Sequence, residues 1–128
     1  MDGVEGYFQL LNHLLAGGFH RLAYIGGPTT LVNHVSRRDW IRRAAQRLEL
    51  AIDPAHERTA DLTSTGGYQA ANNLLDLPNR PDAILCIDDE TAFGALHAAH
   101  EHGLAIGAAV GIAGFGGTLE SLHTEPPL

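Results

Sequence analysis

A chain of 128 residues holds one domain with a buried core and is short for two lobes. Its net charge of -7 is the wrong sign for gripping a phosphate backbone, and its eight basic residues are all arginines, so neither a lysine Schiff base nor a P-loop lysine is available. Apolar residues at 45% and charged residues at 18% fit an ordinary globular domain and argue against disorder. The lone cysteine, Cys86, leaves no disulfide to form. No apolar run reaches membrane-spanning length, and the opening MDGVEGY lacks a basic stretch followed by an apolar one. A reducing, cytoplasmic setting with no membrane contact is expected.

The first predicted element is a helix: Asp2 and Glu5 stand at capping-box spacing, Val4, Tyr7, Phe8, Leu11, Leu14 and Leu15 share a face, and Gly17-Gly18 ends it. Arg21 to Gly27 (RLAYIGG) reads as a strand opening into a Gly-Pro loop, with Thr29 to Asn33 small or polar enough to line a site. A second helix is predicted from about Val35 to Leu48, with Trp40, Ile41, Ala44, Ala45 and Leu48 inward and Arg38, Arg42, Arg43 and Arg47 on a solvated face. Asp53-Pro54 marks a turn before a short strand that runs toward Asp61-Leu62. Thr63 or Ser64 caps a third helix with Tyr68, Ala71, Leu74 and Leu75 apolar. Ala83 to Ile87 is an unbroken apolar run suited to a strand buried on both faces. Polarity flips at Asp88, and Asp89 is placed as the cap of a helix carrying Ala92, Phe93, Leu96, Ala99 and Leu104, with Gly103 as its stop. Val110 to Phe115 is the last strand, followed by a short polar turn that reaches Pro126-Pro127-Leu128. Strand and helix alternate, which predicts an α/β fold: a parallel sheet with helices on both faces in a flavodoxin-like arrangement.

Motifs for chemistry are sparse. His97, His100 and His102 are close in sequence, but helical spacing turns His102 away from the other two and no carboxylate or thiol completes a metal set, so no metal is expected. Cys86 inside an apolar strand lacks the exposure and positive surroundings of a nucleophile. Asp88 and Asp89 diverge in direction, which favours one cap and one cleft-facing carboxylate over an acid/base pair. Neither a nucleophile elbow nor a complete dinucleotide fingerprint is present, and Gly26-Gly27-Pro28 matches a phosphate loop only weakly. The residues favour a binding lobe over an enzyme, with no cofactor implied.

Several stretches in order, GGFHRLAYIGGP, the arginine-containing helix with Trp40, DLTSTGGYQAANNLL, RPDAILCIDDETAFGALHAAHEHGL, VGIAGFGGT and the terminal PPL, resemble the effector-binding domain of lactose-repressor-type (LacI/GalR) transcription regulators. That resemblance implies one lobe of a type I periplasmic-binding-protein-like fold. It covers the second lobe only, so the DNA-reading helix-turn-helix and most of the first lobe are expected outside residues 1–128. The implied effector contacts are Asp88 as acceptor from vicinal hydroxyls, Asn33 in the loop after GGP, and Arg37 by a one-residue shift. Leu62 stands where the family often has a stacking aromatic, and Gly116 where it often has an aspartate. The helix from Asp89 to Leu104 and the segment from Ser121 to Leu128 are implied as a homodimer contact, through Phe93, Leu96, His97, His100, Leu122 and Pro127. The expected function is a lobe that senses a small polar or sugar-like effector at an interlobe cleft and controls DNA binding by the intact dimer. DNA is expected to be touched only through the N-terminal domain. The competing readings are a sugar-binding protein of an uptake system, which shares the fold, and a small flavodoxin-like nucleotide-binding enzyme.

Overall fold

The structure is a computed structural model that describes residues 3–28, 32–106, 109–114 and 122–123, with side chains at all of these except 3, 32–35 and 122–123. Helix α1 spans Gly3–Ala16 and is followed by β1 (Leu22–Gly26), α2 (Val32–Arg47), a 3-10 turn (Pro54–His56), β2 (Glu57–Thr59), α3 (Ser64–Leu75), β3 (Ala83–Cys86), α4 (Asp89–Glu101), β4 (Gly111–Gly114) and β5 (Leu122–His123). The sheet order is β2-β1-β3-β4-β5, and the first four strands are parallel. The α/β class, the parallel core and the alternation of elements agree with the sequence. The antiparallel β5, which sets Leu122 opposite Ala113 and His123 opposite Ile112, is an addition to it. Two residues of pairing leave no periodicity that a sequence pattern can register.

Strands β1, β3 and β4 are buried at every position, because helices cover both sides. Period-2 alternation then divides each strand between two cores. Ala23, Ile25, Ile84, Cys86 and Ile112 face Ala71, Leu74 and Leu75 of α3 and the alanines 92, 95, 98 and 99 of α4. Leu22, Tyr24, Ala83, Leu85 and Ala113 face Tyr7, Leu10, Leu11 and Leu14 of α1 and Ile41, Ala44 and Ala45 of α2. Each fully buried Leu or Ile contributes roughly 1.5–3 kcal/mol relative to exposure, so both layers are needed.

Helix ends follow local chemistry. At the end of α1, Gly18 takes a φ of +96° and Phe19 N–H reaches back to Leu14 O at 3.1 Å, the left-handed stop that the glycine pair announces. Thr63 caps α3, its hydroxyl accepting from Gly66 N–H at 2.9 Å. Asp53 caps the 3-10 turn. Helix α2 begins at Val32, three residues before the start that its apolar spacing suggests. At the opposite edge of the sheet the buried Asp82 carboxylate accepts from His20 N–H and Arg21 N–H, the latter at 2.7 Å, tying the entry of β3 to that of β1. Cys86 is a free, fully buried thiol whose pKa is raised by burial, in keeping with a core role.

Helices α3 and α4 touch backbone to backbone. A Cβ on Gly94 would fall 2.0 Å from Ser64 O, and one on Gly67 would fall 2.3 Å from Thr91 O. This approach makes α4 an alanine helix on its inner side and turns Phe93 outward, where it is 53% exposed. Phe93 therefore does not belong to the inner face on which its spacing placed it.

Two outcomes are expected. Gly94→Ala should destabilise the fold by about 3 kcal/mol in urea denaturation, since the overlap is with backbone that cannot rotate away. The second concerns His102, which lies at the end of α4, bonded to Ala98 O and, at 2.9 Å, to Asp76 Oδ1. The Asp76 hydrogen bond, aided by the Ala98 carbonyl, raises its pKa above 6.5. The folded state holds this proton more tightly, so the stabilisation is complete below the unfolded pKa and is lost as pH rises through the folded one. The Tm difference between the parent and Asp76→Asn should thus be larger at pH 5.5 than at pH 9.

Candidate functional site at the switch point of the sheet

The chain runs from β1 outward to β2, then returns over the sheet to β3 and continues to β4, so strand order reverses between β1 and β3. Open α/β sheets present their ligand crevice outside the carboxyl ends of the strands at such a point. Here that edge consists of Gly26-Gly27-Pro28 after β1, Ala60-Asp61-Leu62 after β2, Ile87-Asp88 after β3 and the end of β4 at Gly114.

Asp88 has extended backbone angles and is the N-cap of α4, its Oδ1 accepting from Thr91 N–H at 2.8 Å. The cap is thus Asp88, correcting the assignment to Asp89. Both residues suit the role chemically; the backbone leaves β3 in the extended region at Asp88 and is already helical at Asp89. Asp89 instead carries a buried Oδ1 with no hydrogen-bond partner, set where a Cβ on Gly114 would approach within 2.9 Å. The cap occupies only Oδ1 of half-buried Asp88, so its second carboxylate oxygen is available for a ligand hydroxyl.

Arg37 reaches the same point from α2. Its Nη1 donates to Ile87 O at 3.5 Å, next to Asp88, which brings two of the predicted effector contacts together. Burial pushes the nearby Tyr7 phenol up to about 12, and the Arg37 charge opposes that shift. The arginine face of α2 divides. Arg42 pairs with Glu57 at 2.7 Å and Arg43 with Asp39 at 3.0 Å, while Arg47 pairs with Glu5 at 3.1 Å and lies 4.0 Å over the Phe8 ring. These three lie on the solvated face that the sequence suggests; Arg38, placed there as well, is instead half-buried with Arg37 against the sheet edge.

Leu62 follows β2 on that edge with a φ of +70°, a left-handed conformation that costs a branched side chain about 1–2 kcal/mol. An Asx turn helps hold it: Asp61 Oδ1 accepts from Thr63 Oγ1 at 2.6 Å and from Thr63 N–H at 3.2 Å. The Thr63 hydroxyl and amide together lower the Asp61 pKa. Asn33 lies within the first turn of α2, not in a loop as its place after GGP suggested, and its side chain is outside the described residues. Gly116 and Pro127 also lie outside them, and Leu122 is described only as backbone of β5. Sequence reasoning missed a groove of about 540 Å³ that runs from Pro28 past Asp61 to Gln69 and Asn73.

On the outer side of α4, Phe93 is the one large apolar side chain that is exposed among the described residues, with His97 and His100 exposed beside it. Leu96 is half-buried against the core. The His97 ring lies 4.8 Å from that of Tyr68, and its Nε2 is 3.3 Å from Glu101 Oε2, the carboxylate to which the Tyr68 hydroxyl donates. His102 turns the other way, to Asp76.

A doubly wound parallel sheet with polar groups at its switch point has the layout in which open α/β sheets hold ligands. The family model described as a periplasmic binding protein-like domain matches residues 11–128, and the chain belongs to that family. Within it the relatives are LacI-family regulators. The chain is 31% identical over its whole length to the HTH-type transcriptional repressor CytR of Escherichia coli K12, of which it covers 38%. A regulatory protein of the LacI family from Chloroflexus aggregans superposes with a TM-score of 0.83 at 33% identity, over 89% of this chain and 41% of that one. The lac repressor dimer bound to operator and the anti-inducer ONPF gives 0.83 at 29% identity, over 94% and 42%. The chain therefore spans about two fifths of the length of these relatives.

The cap is open to direct test. Asp88→Ala should cost about 1 kcal/mol of stability in chemical denaturation, whereas Asp88→Ser, which retains a capping oxygen, should cost a few tenths.

Proposed function

We propose that this lobe senses a small polar, sugar-like effector for a cytoplasmic transcription regulator of the LacI family, in a cleft closed by a second lobe. The observation that carries the reading is the meeting of Arg37 and Asp88 at the switch point: a guanidinium donor beside a carboxylate with one oxygen uncommitted suits a ligand bearing several hydroxyls. Asn33, Leu62 and Gly116 complete the ligand surface in this proposal, Leu62 contributing apolar contact. The effector biases closure of the two lobes, and closure repositions the DNA-binding heads of a dimer. The lobe is a sensor and not an enzyme, as its relatives are regulators.

Dimer contact is assigned to the outer side of α4 and the C-terminal segment, through Phe93, Leu96, His97, His100, Leu122 and Pro127. The exposure of Phe93 supports this, since a large apolar side chain so placed gains most from being covered by a second copy.

In the two-lobed protein, Asp88→Ser should weaken the effector response about tenfold or more, in line with a lost charge-assisted hydrogen bond, and leave the dimer intact in analytical ultracentrifugation. Phe93→Asp should dissociate the dimer with effector affinity retained. The opposite pairing of outcomes would mean that the two ends of α4 had been assigned the wrong way round. Because a single lobe offers half of a cleft, the 128-residue chain alone should show no micromolar sugar binding by calorimetry.

A further inference from the structure

We infer that the chain carries an oxyanion subsite of its own, between Arg38 of α2 and the carboxyl ends of β1 and β2, that takes the phosphate or carboxylate of a small molecule. Its role as part of an effector site rests on the function proposed above; its existence does not. A cavity of about 270 Å³ is lined there by Tyr24, Gly26, Gly27, Arg38, Glu57 and Arg58, together with Thr59. Every strong donor in it has charge or hydrogen-bonding capacity left over.

Tyr24 is 3% exposed, and its hydroxyl is buried without a hydrogen-bond partner, an arrangement that is costly unless a ligand completes it. Its phenol end is folded under Gly26, where any Cβ would come within 2.9 Å of the ring edge and the oxygen, so the hydroxyl lies behind the glycine wall of the cavity. Arg38 is half-buried over the same space. The carboxylates nearest in the chain and across the cavity are both engaged elsewhere, Asp39 by Arg43 at 3.0 Å and Glu57 by Arg42 at 2.7 Å. Arg58 donates to the carbonyls of Ala55 and Glu57 and to Asn73 Oδ1, none of which compensates its charge. Two guanidinium groups with no carboxylate partner among the described residues line one hollow, with the phenolic donor just behind its glycine wall, in a chain whose net charge is -7.

An acceptor-only anion matches that set. It supplies lone pairs to the guanidinium forks and the phenol and offers no donor that would compete with them, whereas a neutral sugar leaves both charges uncompensated. Burial holds the Tyr24 phenol far above its ordinary pKa, with the arginines opposing, so the group remains a donor at neutral pH.

The test is an amide NMR titration of the 128-residue chain with inorganic phosphate and, separately, with acetate at constant ionic strength. Saturable shifts at Gly27, Arg38, Arg58 and Thr59 are expected, and the anion that binds more tightly identifies phosphate or carboxylate as the natural group. Tyr24→Phe and Arg38→Gln should each weaken binding about tenfold, as loss of a hydrogen bond to a charged group does, while Arg43→Gln on the outer face should not. Without anion, the Tm of Tyr24→Phe should equal or exceed that of the parent, which separates a lost ligand contact from a lost fold. Absence of saturable shifts with both anions, or equal affinity in the parent and both cavity variants, would overturn the subsite. Anion binding that persists in a two-lobed protein indifferent to sugars would keep the subsite and refute the sugar reading; a sugar response without anion binding would do the reverse.

Discussion

The 2.8 Å hydrogen bond from Thr91 N–H to Asp88 Oδ1 determines where α4 begins, and the carboxyl edge of the sheet is arranged around that decision. With the helix starting at Asp89, the first turn carries Asp89 and Glu90, whose charges complement the amide end of the helix. The same start point sends the Asp89 side chain back toward the end of β4, where a Cβ at position 114 would come within 2.9 Å of its Oδ1. It also sets the rotation of α4 about its axis. Gly94 consequently falls on α3, the alanines fall on the sheet, and Phe93 is left outside. One local capping choice thus fixes an oxygen of Asp88 left free by the cap, a buried oxygen of Asp89 and an exposed aromatic.

Much of the architecture was legible because the physics behind it is local or periodic. Ala83 to Ile87 reads as a strand because burial on both faces removes any need for polar alternation, and the Gly17-Gly18 stop and Thr63 cap are short-range chemistry. What escaped depends on contacts distant in sequence or on backbone angles. Asp88 and Asp89 are equally able to cap, and only the angles at which the chain leaves β3 separate them. Phe93 sits at proper helical spacing for the core, but the inner side of α4 is set by backbone contact between Gly94 and Ser64, thirty residues apart. The left-handed Leu62 has no signature in composition, because leucine is not selected for that conformation. Strand β5 is too short to have a pattern at all.

The arginines of α2 show how a single sequence feature splits in three dimensions. Arg42, Arg43 and Arg47 lie on the outer side of the helix and each finds a carboxylate, so their charges are spent at the surface, where such pairs contribute little to stability. Arg37 and Arg38, on turns nearer the sheet edge, find none among the described residues. Arg37 settles for a long contact with a main-chain oxygen at the end of β3. Helical periodicity alone cannot make this division, since it specifies the angle between arginines and not which of them meets the carboxyl ends of the strands.

The distribution of uncompensated charge then follows the topology. At the entry edge of the sheet the buried Asp82 carboxylate is fully used by two backbone amides. At the carboxyl edge the reverse holds among the described residues: Asp89 Oδ1 and the Tyr24 hydroxyl are buried without partners, Arg38 has no counter-ion, and Asp88 keeps an oxygen free of the cap. Two of these four, Asp89 Oδ1 and the Tyr24 hydroxyl, are buried, whereas Arg38 and Asp88 are half-exposed and reach solvent. That asymmetry is the physical support for the proposed placement of a ligand at the carboxyl edge.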